Sequence, residues 1–324
     1  MKRNIWGLNL QELETWVVGN GFPRFRAKQL RDYLYKRHIF HFDEMTQFSQ
    51  KMRDWLKENG QIDKPVIISR AQSDDEKTIK LLLKLKDGSL VETVCMCHHY
   101  GNSICVSTQV GCAMGCIFCA STRKGLERNL TAGEILAQMY AFKELYDIPF
   151  HSIVLMGAGE PLTNYEEVLH FIHLANDPEL LNISYRNITI STCGIVPQIY
   201  RLADENIPIT LAISLHAPND RIRNVLVPIS KNFRIKDVVS AAEYYFKKTK
   251  RRVTFEYILI KDMNAIPING TEHIKLYPPE WKEIKRFQDI LLKKGKETTV
   301  RKQMGDEIQA ACGQLKRRYL NSVT

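Results

Sequence analysis

Nowhere in the 324 residues do eighteen apolar residues run together, so no membrane-crossing helix is expected. The start, Met1-Lys2-Arg3-Asn4-Ile5-Trp6, lacks the apolar core of a secretory leader, which leads us to expect a cytoplasmic protein. Low-complexity tracts are missing, as are repeats with periods of about 20–50 residues. Glycine (17) and proline (12) are too scarce for a collagen-like or disordered chain. Eight cysteines in this length are too few for a disulfide scaffold. In a reducing compartment they are read as ligands, nucleophiles or core residues. Acidic residues are also in deficit, 36 against 46 basic, giving a net charge of +10 and a pI near 9.1. That favours an anionic partner, most commonly nucleic acid, although many basic proteins bind none.

What is present is ordinary globular material, 44% apolar and 25% charged. At about 150 residues per domain, the length fits two domains or one large α/β domain with an extension. Residues 1–65 read as a helical accessory unit. Leu13, Trp16 and Val17 form one stripe, stopped by Gly19-Asn20-Gly21; Ala27, Leu30 and Leu34 form a second; Phe48, Met52, Trp55 and Leu56 form a third. Its Arg24, Arg26, Lys28, Arg31, Lys36 and Arg37 suit phosphates, or a solvated helix face equally well.

Residues 66–100 read as a strand-rich connector, with strands 79–85 and 90–95 flanking the hairpin signal Asp87-Gly88. From 101 to 315, strands at 103–108, 152–156, 187–192, 210–214 and 253–260 alternate with helical patterns. Thr131 with Glu134, and Asn164 with Glu167, resemble capping boxes. Val238, Val239, Ala242 and Phe246 mark another helix. A last one runs from Pro279 through Trp281, Ile284, Phe287 and Leu291 to Gly295, ahead of a strand at 298–301. Residues 316–324 form a basic tail. The alternation implies a parallel sheet, open or closed into a barrel, with its chemistry at the carboxyl ends of the strands.

The densest chemical signal is Cys112-Ala113-Met114-Gly115-Cys116-Ile117-Phe118-Cys119, a C-x3-C-x2-C spacing just after a predicted strand. Thiolates select zinc or iron–sulfur centres. A structural zinc wants a fourth ligand, yet the next candidates are His151 and Cys193, far along the chain. Three ligands on a four-iron cluster instead leave one iron open. A zinc site with a distant ligand and inert core cysteines remain the alternatives. The second signal is Gly157-Ala158-Gly159-Glu160-Pro161, where small residues admit close backbone approach and Glu160 suits an ammonium group, though tight turns use the same residues. Cys95, Cys97 and Cys193 read as core or surface residues. Cys95 and Cys97 share one strand face and could mimic a ligand pair; His98-His99 forms no recognisable pattern.

These two motifs resemble those of the radical S-adenosylmethionine (SAM) superfamily. The stretches Cys105-Val106-Ser107-Thr108-Gln109-Val110-Gly111-Cys112, Ala310-Ala311-Cys312-Gly313-Gln314-Leu315, Phe25-Arg26-Ala27-Lys28-Gln29-Leu30, Arg128-Asn129-Leu130-Thr131, Ser214-Leu215-His216-Ala217 and Ile266-Pro267-Ile268-Asn269 narrow the resemblance. Together they resemble the RlmN/Cfr family of radical SAM RNA adenine methyltransferases. Gly159-Glu160-Pro161 points to the RlmN side, since Cfr has Gly-Glu-Ala there. The resemblance implies a partial (β/α)6-type TIM barrel with a small N-terminal helical domain. It implies a [4Fe-4S] cluster on Cys112, Cys116 and Cys119, and SAM held by Gly159, Glu160, Ser191, Ser214, Leu215, His216 and Asn269. The substrate implied is 23S ribosomal RNA, with transfer RNA as a further one, served by a monomer and an external one-electron donor.

The implied reaction methylates C2 of an adenine with two SAM molecules. Cys312 takes a methyl group from the first; a 5′-deoxyadenosyl radical from the second abstracts hydrogen from that methyl; the carbon joins C2. Glu92 accepts the C2 proton, and Cys105 releases the base through a transient disulfide with Cys312. From the residues alone, Glu92 is also readable as a solvent-facing strand carboxylate, and His216 as a core histidine. The basic run Lys247-Lys248-Thr249-Lys250-Arg251-Arg252 suits either a helix C-terminus or RNA phosphates, as do Lys231, Arg234, Lys316, Arg317 and Arg318.

The chain departs from the family after residue 260. Only Lys261-Asp262-Met263-Asn264 stand where the family has a helix and most of a strand. A parallel crossover needs at least about ten to twelve residues, so this unit is either a tight turn or missing, which leaves Asn269 open as a SAM ligand. Two other classes keep part of the pattern: a radical SAM enzyme acting on a small molecule or peptide, and a non-catalytic zinc protein that binds RNA.

Overall fold

The computed structural model describes residues 2–146, 148–261, 279–301, 308 and 315. The chain opens with β1 (Arg3–Asn4), α1 (Leu10–Gly19), α2 (Phe25–Tyr35), α3 (Gln50–Asn59) and β2 (Gly60–Gln61), β1 pairing with β2. Asn9 and Glu12 close a capping box on α1. Then come β3 (Val66–Gln72), β4 (Thr78–Lys84), β5 (Leu90–His98) and β6 (Gly101–Cys105), a short ribbon of β7 (Gln109–Gly111) and β8 (Leu126–Asn129), and α4 (Ala132–Tyr146). The remaining units are β9 (Phe150–Leu155), α5 (Tyr165–Asn176), β10 (Ile188–Thr192), α6 (Val196–Asp204), β11 (Thr210–Ser214), α7 (Asp220–Leu226), α8 (Ile235–Thr249), β12 (Val253–Glu256) and α9 (Trp281–Lys293).

Eight strands form one sheet in the order β12-β11-β10-β9-β6-β5-β4-β3. From β6 to β12 neighbours run parallel, each joined to the next by helices. From β6 to β3 they run antiparallel. The presumed connector is therefore an extension of the same sheet. A crossover that returns each strand in one direction puts the five parallel carboxyl ends on one rim.

The N-terminal helices share one hydrophobic core with the sheet, through residues such as Trp6, Leu30, Tyr140 and Phe171. Their approach is close. A Cβ at Gly7 would meet Gly133 Cα at 2.4 Å, and one at Gly133 would meet the Trp6 carbonyl oxygen at 2.3 Å. Only glycines allow the turn after β1, at Trp6-Gly7, to press against the start of α4.

Several expected boundaries move, each for a visible reason. Strand 253–260 stops at Glu256, because the Ile258 amide turns to His216 Nδ1 (3.2 Å). Strand 103–108 stops at Cys105, after which the Thr108 and Gln109 amides both donate to the Ala158 carbonyl. Residues 298–301 form no strand; the Thr298 carbonyl accepts from Gln288 on α9, and Arg301 pairs with Glu256. The box at Thr131 and Glu134 forms. The one at Asn164 and Glu167 does not. Asn164 donates instead to the carbonyls of Thr108 and Leu130, and Glu167 accepts from the Ala132 amide at the start of α4. Among the described residues, no helix is long and apolar enough to cross a membrane.

Candidate active site

The cysteine loop lies between the strands of the β7–β8 ribbon. Gly111 makes that possible: it sits at φ +78°, and a Cβ there would fall 2.0 Å from the Gly125 carbonyl oxygen. The Cys112 amide donates to the same oxygen (3.0 Å), the Ile117 amide to the Leu226 carbonyl (3.1 Å), and the Cys119 amide to the Cys116 carbonyl (3.0 Å). Thr122 Oγ1 donates to the carbonyls of Cys116 and Cys119. None of the three thiols is in a disulfide, with Cys112 buried and the other two half-buried. Burial, then neighbouring thiols, pushes Cys116 up to about 12. Cys112 rises to about 11, burial again dominating. Met114, Ala217, Ile222, Leu226, Val227 and Ile260 make the apolar wall behind them.

Beside the loop, β9 delivers Glu160. Gly159, at φ +111°, brings the backbone so near Gln109 that a Cβ would lie 2.8 Å from its amide nitrogen. The Glu160 amide donates to Gln109 Oε1 (2.8 Å). Its carboxyl accepts from the Cys193 amide (2.8 Å) and the Leu162 amide (3.1 Å). Glu160 is only 3% exposed, and burial holds its pKa above the usual carboxylate range despite those bonds. A buried carboxyl in that state gains most from a cation placed against it.

The next two strands complete the rim. Ser191 lies in β10 opposite Ala212, and Ser214 ends β11 opposite Glu256; both are half-buried. The Leu215 and His216 amides both donate to the Glu256 carbonyl (3.0 and 3.2 Å). His216 holds φ +59°, and its ring meets Phe118 edge-on at 4.8 Å, tying this rim to the cysteine loop. Burial, then the charge of Arg223, lowers its pKa to about 4, so the ring is neutral near pH 7.

On the antiparallel side, Cys105 ends β6 opposite Val94. Glu92, two residues from Val94 on β5, presents to the same face. Glu92 is 7% exposed and paired with Lys80 at 2.9 Å. It is thus no solvent-facing carboxylate. Thr93 Oγ1 donates to the Cys105 carbonyl (2.9 Å), and Ser107 Oγ donates to the Glu92 carbonyl (2.7 Å). Ser107 Oγ also accepts from the Ala158 amide (3.0 Å), linking Glu92 to the glycine turn. Cys312 and Asn269 lie outside the described residues.

Four residues at this rim were given no part in the site by the sequence reading. Gln109 fixes Glu160 and also donates to Asn129 and Thr163. Cys193 sits between Glu160 and the cysteine loop, its thiol pKa raised by burial and then by the Glu160 charge. Arg223 is fully buried and donates to the carbonyls of Cys193, Ser214, Leu215 and Phe233. Lys80 is the partner of Glu92. Only Cys193 carried a signal, its place just past a strand end. By contrast, Cys95 lies away from this rim, its thiol pushed up to about 12 by burial and then by Cys97. Tyr100 stacks on His98. Arg31 pairs with Asp177 and is buried, which removes it from the candidate phosphate contacts.

The radical SAM superfamily model matches residues 106–272, and the model of the ribosomal RNA large subunit methyltransferase N-terminal domain matches residues 3–62. A Clostridium novyi protein named probable dual-specificity RNA methyltransferase RlmN is 45% identical, over 99% of each chain. The chain belongs to the RlmN family of radical SAM methyltransferases. A Clostridium tetani protein of the same name is 44% identical over 98% of this chain and 97% of its own. The structure of a radical SAM methyltransferase from Sphaerobacter thermophilus superposes with a TM-score of 0.88 at 38% identity, covering 96% of this chain and 98% of that one. The alignment with the C. novyi RlmN runs over 342 positions against 324 residues here, so that relative carries residues this chain lacks.

Membership of the superfamily implies SAM and a [4Fe-4S] cluster, and the residues fit both. Among the described residues, no three His, Cys, Asp or Glu side chains close on a single ion. A four-iron cluster does not require that, because its thiolates ligate different irons. Cys112, Cys116 and Cys119, backed by an apolar wall, are a donor set for such a cluster. Glu160 is a buried carboxyl of the kind an ammonium group would pair with.

Proposed function

We propose that this protein methylates C2 of an adenine in 23S ribosomal RNA, and in transfer RNA, through S-methylation of Cys312 with two SAM per turnover. The carrying observation is that Glu92 and Cys105 share one face of adjacent strands, beside the rim that holds the cysteine loop. A carboxylate and a thiol on one face suit a reaction that must remove a proton and release a thioether.

Cys112, Cys116 and Cys119 would hold the cluster, which when bound supplies the single electron that splits SAM. Glu160 would anchor the SAM ammonium; Gly159, Ser191, Ser214, Leu215 and His216 line its approach, and Asn269 is proposed with them. The Cys312 thiolate takes a methyl group from one SAM, leaving S-adenosylhomocysteine. After hydrogen abstraction from that methyl, its carbon joins C2. The adduct gives up one electron, for which the cluster would be the acceptor when bound, and Glu92 takes the C2 proton. Cys105 then attacks the Cys312 sulfur, the S–C bond breaks, and the freed carbon takes a proton to become the methyl group. The charge of +10 suits an RNA partner. The nine-residue basic tail and the N-terminal helical unit are proposed as RNA contacts, and the enzyme as a cytoplasmic monomer served by an external electron donor.

The test is mass spectrometry of the Cys312 peptide after the cluster-loaded protein meets methyl-labelled SAM. A labelled methyl group on Cys312 that passes to RNA on adding reductant is the expected result. Label reaching RNA with Cys312 never modified overturns the mechanism.

A further inference from the structure

Lys80 stands in β4 among Thr78, Ile79, Leu81, Leu82 and Leu83, all buried, and is itself fully buried. An apolar residue would fill this position at less cost, since burying an ammonium is unfavourable unless it is paired. Its partner is Glu92, 2.9 Å away. The register puts Lys80 opposite Val94, and Val94 opposite Cys105. Lys80, Glu92 and Cys105 thus occupy one face of three neighbouring strands. Adjacent strands lie about 4.8 Å apart, so a lysine side chain reaches from β4 across β5 toward β6. The backbone there is already fixed, by Thr93 on the Cys105 carbonyl and Ser107 on the Glu92 carbonyl. On the side chain of Glu92, Lys80 places its ammonium 2.9 Å from the carboxylate.

We propose that Lys80 is the positioning residue for proton removal from the RNA adduct, its ammonium holding the Glu92 carboxylate on the Cys105 face. This rests on the function proposed above, because only that reaction gives Glu92 a proton to take. In the step, the C2–H bond breaks, its electron pair stays in the ring, and the proton passes to the Glu92 carboxylate. The acid so formed keeps its contact with the Lys80 ammonium, and no further reactant is consumed.

The experiment compares the cluster-loaded protein with Lys80→Met, Lys80→Arg, Glu92→Gln and the double variant Lys80→Met/Glu92→Gln. Each is given SAM, reductant and a ribosomal RNA fragment without oxygen. The readouts are methyl on Cys312, the covalent protein–RNA adduct on a denaturing gel, and released methyladenine. A misplacement of about 1 Å in a reacting group costs on the order of 100-fold. Lys80→Met is expected to release product about 100-fold more slowly while the adduct accumulates, as in Glu92→Gln. Lys80→Arg should recover part of the loss. The double variant, which strands no charge and so keeps its fold, should be no slower than Glu92→Gln. A double variant at least about tenfold slower than Glu92→Gln would show that Lys80 does not act through Glu92. Lys80→Met that loses Cys312 methylation and product together, without adduct, marks a merely structural lysine and overturns the proposal. If the unmodified protein never methylates Cys312, the functional reading fails, and this proposal with it.

Discussion

Replacing Glu160 with glutamine tests the SAM site with one atom's change. The carboxyl is 3% exposed and accepts from two backbone amides, those of Cys193 and Leu162. Glutamine keeps one acceptor oxygen but turns an amide N–H₂ toward one of those donors. It also removes the charge that the SAM ammonium would meet. Hydrogen bonds to charged groups are worth about 1.5–3 kcal/mol. At about 1.4 kcal/mol per decade, that predicts SAM binding about 10- to 150-fold weaker. Solvent cannot compensate at so buried a position. The assay is calorimetric titration of the cluster-loaded protein with SAM, alongside circular dichroism to confirm the fold. The pH dependence sharpens it. Burial raises the folded pKa of Glu160 above its ordinary 4.5, so this group favours the free folded protein as pH falls. SAM binding has the opposite sign, because the ammonium needs the carboxylate: affinity should drop as pH falls through the raised pKa. Glu160→Gln should show no such dependence. A binding constant within about threefold of the unmodified protein at neutral pH would refute the assignment, being far below the loss worked out above.

Other positions give independent checks. Gly111→Ala places a methyl group 2.0 Å from the Gly125 carbonyl at φ +78°; iron uptake on reconstitution should fall, as read by iron content and brown colour. Arg223→Met abandons bonds to four carbonyls, and should cost about 2–4 kcal/mol at about 1 kcal/mol per bond, measured by urea unfolding. Arg223→Lys should not recover this, since a single ammonium cannot span the fork of guanidinium contacts. The His216 pKa of about 4, below the ordinary 6.5, means the unfolded state protonates first as pH falls. Stability should therefore decline between those two values, by at most about 1.4 kcal/mol per pH unit, and His216→Phe should flatten that slope in unfolding titrations.

The parts of the site that were legible in the sequence are those whose chemistry forces a local pattern. Three thiols on one loop need close spacing, and a backbone pressed against Gln109 needs glycine, so Cys112, Cys116, Cys119 and Gly159 were visible as candidates. The positions of Ser191 near the end of β10 and Ser214 at the end of β11 followed from β/α alternation. Long-range pairings left no such trace. Lys80 looks like a charge interrupting an apolar strand, and only the register of β4 on β5 gives it Glu92. Arg223 looks like one face of an amphipathic helix until its guanidinium is seen among carbonyls from three other segments. Asn164 carries a cap's chemistry yet spends it on Thr108 and Leu130, because a tertiary partner outcompeted the local one. The three-residue β7 is too short to show periodicity, and β12 is cut short by His216.

The most direct measurement is the position of the methyl group on RNA. The cluster-loaded protein would be turned over without oxygen with SAM, a reductant and a 23S ribosomal RNA fragment, and the modified nucleoside mapped by mass spectrometry. The account predicts a methyl group on C2 of an adenine. A methyl group on C8 would contradict it and place the protein with Cfr. Cleavage of SAM with no methylated RNA would contradict the assignment of RNA as its substrate.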